Sequence, residues 1–203
     1  MQGLRRTKRL PLTGVTAGHV ATIVTSLEMR ARPLPKPLPP SDLRLVRWAR
    51  PEPARYRALF RRIGEPWLWF SRLIMPDAEL SAILTDPNTE LFAVEDRQGV
   101  EIGMLELNFR QAPECELAFF GFVPELAGRG HGRWLMAHAL ALAWRPGVEL
   151  AWVHTCTLDH PSALNFYRAQ GFEAVERDIE TFPDPRLQGH LPEHAAPHVP
   201  IIR

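Results

Sequence analysis

Hydrophobic and polar positions change period several times along the chain, and each change marks an element. From Gly18 to Met29 the run is β-branched and apolar, which predicts a strand. Leu43–Trp48 alternates and predicts a second. From Pro53 onward, Tyr56, Leu59, Phe60 and Ile63 recur at the i, i+3, i+4, i+7 spacing of an amphipathic helix, with Gly64 placed to end it. A second helix is predicted over Trp67–Met75 and a third over Ala78–Leu84, capped by Asp77. Leu91–Asp96 and Glu101–Phe109 flank the turn residues Gln98-Gly99 and read as a hairpin. Glu114–Val123 is a further strand, stopped by Pro124. Arg133–Trp144 carries Leu135, Met136, Ala139, Leu140 and Ala143 as one helical stripe, ended by Pro146-Gly147. Glu149–Thr157 is apolar on both faces in its first half, the pattern of a central strand covered on two sides. Pro161 suits the first turn of a helix capped by Asp159 or His160. Ala163, Phe166 and Tyr167 share one of its faces, and Gly171 stops it. Phe172–Thr181 predicts the last strand.

The order is strands, helices, hairpin, then β-turn-α-β-α-β, with no repeat at a fixed period, which predicts one mixed α/β domain within the 203 residues. Proline alters the picture at both ends. The 20 copies gather in PLPKPLPP (Pro33 to Pro40) and between Pro183 and Pro200, so both stretches are expected to be irregular or extended. The expected organisation is an arm, extra strand and Pro-rich connector over 1–40, a folded domain over 41–182, and a Pro-rich tail over 183–203.

A net charge of +1 supplies no field that would draw the chain to nucleic acid or an anionic membrane, and neither is expected as a partner. No apolar run approaches the roughly 20 residues of a membrane span. The N-terminal MQGLRRTKRLPLTG is basic but lacks the apolar centre of a secretory signal, and reads as a solvated arm. Cys115 and Cys156 lie in apolar, strand-like stretches where free cysteine acts as a small buried hydrophobe. Two such cysteines fit a reducing cytoplasm, the expected location.

Chemistry concentrates at Ala127-Gly128-Arg129-Gly130-His131-Gly132. A strand, a glycine turn and a helix make an anion site, because unpaired N–H groups converge with the positive end of the helix dipole. Two phosphate-loop templates fail. His131-Gly132-Arg133 is not the Gly-Lys-Ser/Thr ending of a P-loop. Arg133 stands where the third glycine of a dinucleotide fingerprint belongs. Taken alone, the glycines leave both a tight bend and a phosphate cradle open.

Two blocks narrow this. Pro124-Glu125-Leu126-Ala127-Gly128-Arg129-Gly130-His131-Gly132 is followed, one strand later, by Ala163-Leu164-Asn165-Phe166-Tyr167-Arg168-Ala169-Gln170-Gly171-Phe172. Together they closely resemble the GNAT family of N-acyltransferases: the first its Q/R-x-x-G-x-G/A acyl-CoA motif, the second its A-x-x-x-Y-x-x-x-G-F helix and strand start. The resemblance is carried by Phe119–Phe172 and extends more weakly from Leu43 to about Glu180. It implies a GNAT-like mixed α/β sheet, here with an extra N-terminal strand, splayed open between Glu114–Val123 and Glu149–Thr157. It implies acetyl-CoA as acyl donor, with pantetheine pairing to backbone near Phe122 and Val123. It also implies N–H groups of Ala127, Gly128, Arg129, Gly130, His131, Gly132 and Arg133 around the pyrophosphate, helped by the two arginines. Two positions depart from the family: Ala127 replaces the usual Gln or Arg, and His160 replaces an Asn that contacts the cofactor in many members.

The implied activity is acyl transfer from CoA directly to a primary amine, with a small molecule expected as acceptor rather than a protein. A non-catalytic acyl-CoA-binding protein on the same fold is the alternative. Transfer needs a neutral amine, a stabilised oxyanion and a protonated leaving thiolate. The family's acid is a tyrosine at the position of Tyr167. Glu116 is the expected base, as in members with a glutamate on this strand, with Glu106 and Glu114 in reserve. A main-chain N–H freed by a bulge near Phe122 would serve the oxyanion. Trp67, Trp69, Phe70 and Arg72 suit an acceptor with an apolar body and a carboxylate, which Arg72 would pair, and Asn108 is placed to reach the cleft. His154, on an apolar strand, reads as a satisfied interior histidine. His190, His194 and His198 recur every four residues, but Pro192 and Pro197 oppose the helix that would present them to a metal, so no metal is expected. One further reading has the Gly18–Met29 strand pairing with another subunit in a homodimer.

Overall fold

The computed structural model describes residues 12–34 and 37–203; the basic stretch of the N-terminal arm lies outside them. Seven strands form one sheet in the order β2-β3-β4-β5-β6-β1-β7. They are β1 (His19–Met29), β2 (Arg44–Arg47), β3 (Thr89–Glu95), β4 (Glu101–Asn108), β5 (Glu114–Phe122), β6 (Leu150–Cys156) and β7 (Glu173–Pro183). All pairings are antiparallel except β5 with β6. The helices are α1 (Pro53–Gly64), α2 (Ser71–Ile74), α3 (Asp77–Thr85), α4 (His131–Ala143) and α5 (Ala163–Ala169).

The N-terminal strand is inserted between β6 and β7. Val24 pairs with Cys156 on one edge and with Asp178 on the other. Over Val24–Glu28 both edges of β1 are paired within the chain, which corrects the reading that this strand exists chiefly to pair with another subunit.

Helices cover both faces of the sheet centre. Ile102–Leu107 of β4 is continuously buried, as a strand sandwiched on both sides must be. Adjacent residues of β5 show the two covers: Gly121 faces Ile63 of α1, and Phe122 packs against His131 of α4. Tyr56, Leu59, Phe60 and Ile63 form the buried stripe of α1, as their spacing predicts.

The predicted helix over Trp67–Met75 is broken. A 3-10 turn at Glu65–Trp67 ends at Leu68, which adopts a left-handed φ of 56°, and only Ser71–Ile74 is helical. Gly64 explains the break: a Cβ there would lie 2.3 Å from Trp69, so the chain folds back onto the end of α1 only because this residue has none. Asp77 is the first residue of α3, not its cap, and its carboxylate pairs with Arg57 at 2.5 Å. Helix α4 begins at His131, inside the glycine turn, two residues earlier than predicted.

Residues 184–203 form no helix or strand, as their prolines require, yet they are not a solvated tail. Leu191, Ala195 and Ala196 are buried in a second apolar cluster with Val20, Leu68 and Leu158. No helix among the described residues is long and apolar enough to cross a membrane.

Candidate active site

Strands β5 and β6 pair only at Glu114↔Leu150, Cys115↔Ala151 and Glu116↔Trp152, and then part. The fork opens into a cavity of about 900 Å³ that runs from Thr22 and Phe182, past Trp67, Glu116 and Tyr167, to Gly128–Arg133.

At one end lies the glycine turn. Gly128 and Gly130 have φ of 74° and 82°, a left-handed region that an ordinary side chain adopts only under strain. These turns set the start of α4 so that its first N–H groups point outward. The amides of Ala127, Arg129 and Arg133 are taken by the carbonyls of Pro124, Leu126 and Gly130. Those of Gly128, Gly130, His131 and Gly132 have no hydrogen-bond partner among the described residues. Of the seven amides expected to form the cradle, four are therefore free to take a ligand. Arg129 and Arg133 are exposed beside it, and neither forms an ion pair among the described residues. Four unpaired donors at the positive end of a 13-residue helix fit a pyrophosphate.

Next along the cleft, Val123 N–H donates to Ile102 and its carbonyl accepts from Leu126. Alternation in an antiparallel ladder then turns the N–H and C=O of Phe122 and Phe120 away from β4, toward the edge that β6 has left. An extended ligand can pair with Phe122 and Phe120; Val123, expected to share that role, has its main chain occupied. The bulge is also displaced. It falls at Ala118, where the register shifts between Glu106↔Phe119 and Leu107↔Leu117, not near Phe122.

Tyr167 of α5 packs among Phe120, Phe166 and Phe172, with ring centroids 5.6–6.2 Å apart. Its hydroxyl has no hydrogen-bond partner among the described residues, and the residue borders the cavity. Burial, and then the Asp159 carboxylate, push this phenol well above its ordinary range, so it keeps its proton at neutral pH.

Glu116 sits at the fork itself. It pairs across the ladder with Asn108, whose Nδ2 donates to Oε2 at 2.8 Å, while Asn108 Oδ1 accepts from Arg110 N–H and Nε at 3.1 and 2.9 Å. Asn108 is thus a support for Glu116. On β6, His154 lies two residues past Trp152, the partner of Glu116, and so shares its face; its Nδ1 is 3.8 Å from Glu116 Oε1. With its side chain 49% exposed, His154 is a cavity residue, not the satisfied interior histidine the apolar strand suggested.

The other end of the cavity is aromatic. Trp67 meets His160 edge to face at 5.4 Å, and Trp69 packs on Phe60 and Phe119 at 5.4 and 5.2 Å. Arg72 also borders the cavity, but its charge is not free for an acceptor carboxylate. It donates to Glu106 at 2.6 Å, and the other oxygen of Glu106 accepts from Tyr56 at 2.5 Å. Glu106 is 1% exposed with both oxygens taken, which removes it as a reserve base. Burial and this carboxylate hold the Tyr56 phenol well above its usual value. His160 Nδ1 meets the hydroxyl of Ser162 at 2.8 Å and accepts its N–H at 3.2 Å, leaving only Nε2 for a cofactor.

Several contributors carried no sequence signal. Asp159 accepts from Trp69 Nε1 (3.2 Å), Thr155 Oγ1 (2.7 Å) and Cys156 N (3.0 Å), tying the aromatic wall to the end of β6. Thr22 and Val24 of β1 and Glu180 and Phe182 of β7 complete the far wall. Cys156 also borders the cavity, whereas burial pushes the Cys115 thiol up to about 12. Among the described residues no cluster of side chains could hold a metal ion.

The sequence profile of the acetyltransferase (GNAT) family matches residues 42–172. No curated protein matches the chain. Among solved structures, a GCN5-related N-acetyltransferase from Sphaerobacter thermophilus is 18% identical, with a TM-score of 0.58 over 81% of this chain and 53% of that one. A tandem GNAT protein from the clavulanic acid biosynthesis pathway is 20% identical, with a TM-score of 0.56 over 80% and 53%. An aminoglycoside acetyltransferase from an uncultured soil metagenomic sample, in complex with sisomicin, is 20% identical, with a TM-score of 0.52 over 64% and 88%. At these identities the likeness is one of fold. The chain spans about half the length of the first two.

Proposed function

The chain belongs to the GNAT family of acetyltransferases, and from that premise we propose that it moves an acyl group, acetyl, from CoA directly to the primary amine of a small molecule. The observation that carries this reading is the fork between β5 and β6, because it joins the four unpaired amides of the turn to Tyr167 and Glu116 through one cavity. A small acceptor is in keeping with the fold neighbour bound to sisomicin.

When bound, acyl-CoA supplies a thioester carbonyl. The N–H groups of Gly128, Gly130, His131 and Gly132 bind phosphate oxygens. Phe122, with its N–H and C=O turned to the open edge, orients an extended amide-bearing arm and offers a donor to a developing oxyanion. Glu116, fixed through Oε2 by Asn108, takes the proton of the incoming ammonium on Oε1. Tyr167 Oη holds the proton that the departing sulfur needs.

The test is release of free thiol from acetyl-CoA across a panel of primary amines. Tyr167→Phe should lower kcat by roughly a hundredfold while CoA affinity stays unchanged. CoA binding with no turnover on any amine, and no effect of Tyr167→Phe, would make the protein an acyl-CoA-binding protein instead.

A further inference from the structure

The family match ends at residue 172, yet the far wall of the cavity draws on β1 and β7, and behind that wall lies the segment 184–203. At its centre is a buried ion pair, with Asp184 2% and Arg186 4% exposed. Arg186 Nε and Nη2 donate to the two carboxylate oxygens of Asp184 at 2.9 and 2.7 Å. Its Nη1 donates to the carbonyls of Ala195, Ala196 and Val199 at 3.0, 3.3 and 2.8 Å. Both edges of the guanidinium fork are occupied, so Arg186 is a knot in the chain and not a ligand site.

The knot presses Leu191, Ala195 and Ala196 onto Leu68 and Leu158, with Phe70, Leu73 and Phe182 packed around them. Leu68 holds the left-handed conformation between Trp67 and Trp69. A leucine keeps that backbone only when its surroundings hold it there. On the outer side, the Trp67 ring lies between His160 and His198, 5.4 and 6.0 Å away. The segment is pinned at both ends, by Asp184 N–H to Gly18 O (2.8 Å) and Gly18 N–H to Ile202 O (2.7 Å).

We infer that the segment 184–203, knotted by Arg186, positions the wall from Trp67 to Phe70 and so sets which acceptor the cleft admits. Arg186 is a positioning residue: no residue of 184–203 borders the cavity, and the segment acts through Leu68, Phe70 and Phe182. The consequence for specificity rests on the acyltransferase reading; the coupling between segment and wall does not.

The experiment compares the full chain with Arg186→Met, Arg186→Lys and His198→Ala. It follows amide hydrogen exchange over 64–75, CoA binding by calorimetry, and thiol release from acetyl-CoA with tyramine, spermidine and kanamycin. Arg186→Met should speed exchange over 66–73 by about tenfold or more, with residues 128–133 and CoA affinity unchanged. For whichever of the three amines the wild type acetylates, KM should shift more than kcat. Arg186→Lys, which keeps the charge but not the fork, should restore only part of the loss. His198→Ala removes an exposed side chain and should speed exchange at Trp67 and Leu68 alone. If 184–203 loosens while 64–75 exchanges as before, or if the amine preference is unchanged, the inference is overturned. If Arg186→Met does not fold, His198→Ala decides, and wild-type exchange at Trp67 and Leu68 overturns it. If the wild type binds CoA but acetylates none of the three amines, that result counts against the acyltransferase reading, while the exchange data still decide the coupling.

Discussion

At the α4 end of the cleft, the groups that face a ligand are main-chain amides held by two left-handed glycines, and all of them lie within five consecutive residues. At the β7 end, the facing groups are side chains from β1, β6, β7 and the Trp67–Arg72 stretch, held together by contacts between residues far apart in sequence, such as Thr22 with Glu180 and Trp69 with Asp159. The first region is local, and its chemistry is that of the backbone. The second is assembled, and it tolerates any side chains that pack. A cofactor shared by a family suits the former; an acceptor particular to one protein suits the latter.

The contrast can be broken at several points. The largest effect should come from Glu106→Ala, which leaves Arg72 buried without its counter-charge and costs about 3–5 kcal/mol of stability. Chemical denaturation should show it, and hydrogen exchange should place the loosening at the aromatic end. Gly130→Val should strain the turn by about 1–3 kcal/mol, since a β-branched residue resists a φ of 82°; denaturation and calorimetry together should find that cost as lost stability plus weakened CoA binding. A smaller effect is expected from acid. Hydrogen bonding to Arg186 holds the Asp184 carboxyl below the usual carboxylate range. Its stabilisation is therefore full above the unfolded value of about 3.9 and is lost as pH falls through the lower folded value. Below about pH 4, wild-type stability should fall more steeply than that of Asp184→Asn. The smallest is Arg133→Ala, an exposed charge beside the cradle. It should weaken CoA binding roughly twofold to fivefold at low salt, and the difference should vanish at high salt.

The same contrast governs what the sequence makes legible. The α1 stripe, the hairpin, the glycine turn and the Tyr167 helix announce themselves through local spacing, and each stands where that spacing places it, to within a few residues. Helix α2 does not, because its aromatic pattern mimics a helix while Gly64 lets Trp69 fold back and Leu68 breaks the turn. Arg72 looks available as a cation until the fold brings Glu106, 34 residues away, against it. His154 looks like a core residue because its strand is apolar, but it stands where β5 has already diverged. The insertion of β1 between β6 and β7 has no local signature at all, since its own sequence is equally that of an edge or a central strand.

The proposed hold of the turn's main-chain amides on the acyl donor can be read by titrating acetyl-CoA into the ¹⁵N-labelled protein and following each backbone amide. Gly128, Gly130, His131 and Gly132 should undergo the largest downfield shifts, followed by Phe122, with little change at Ala127 and Arg129. Binding that leaves those four amides unmoved would contradict it.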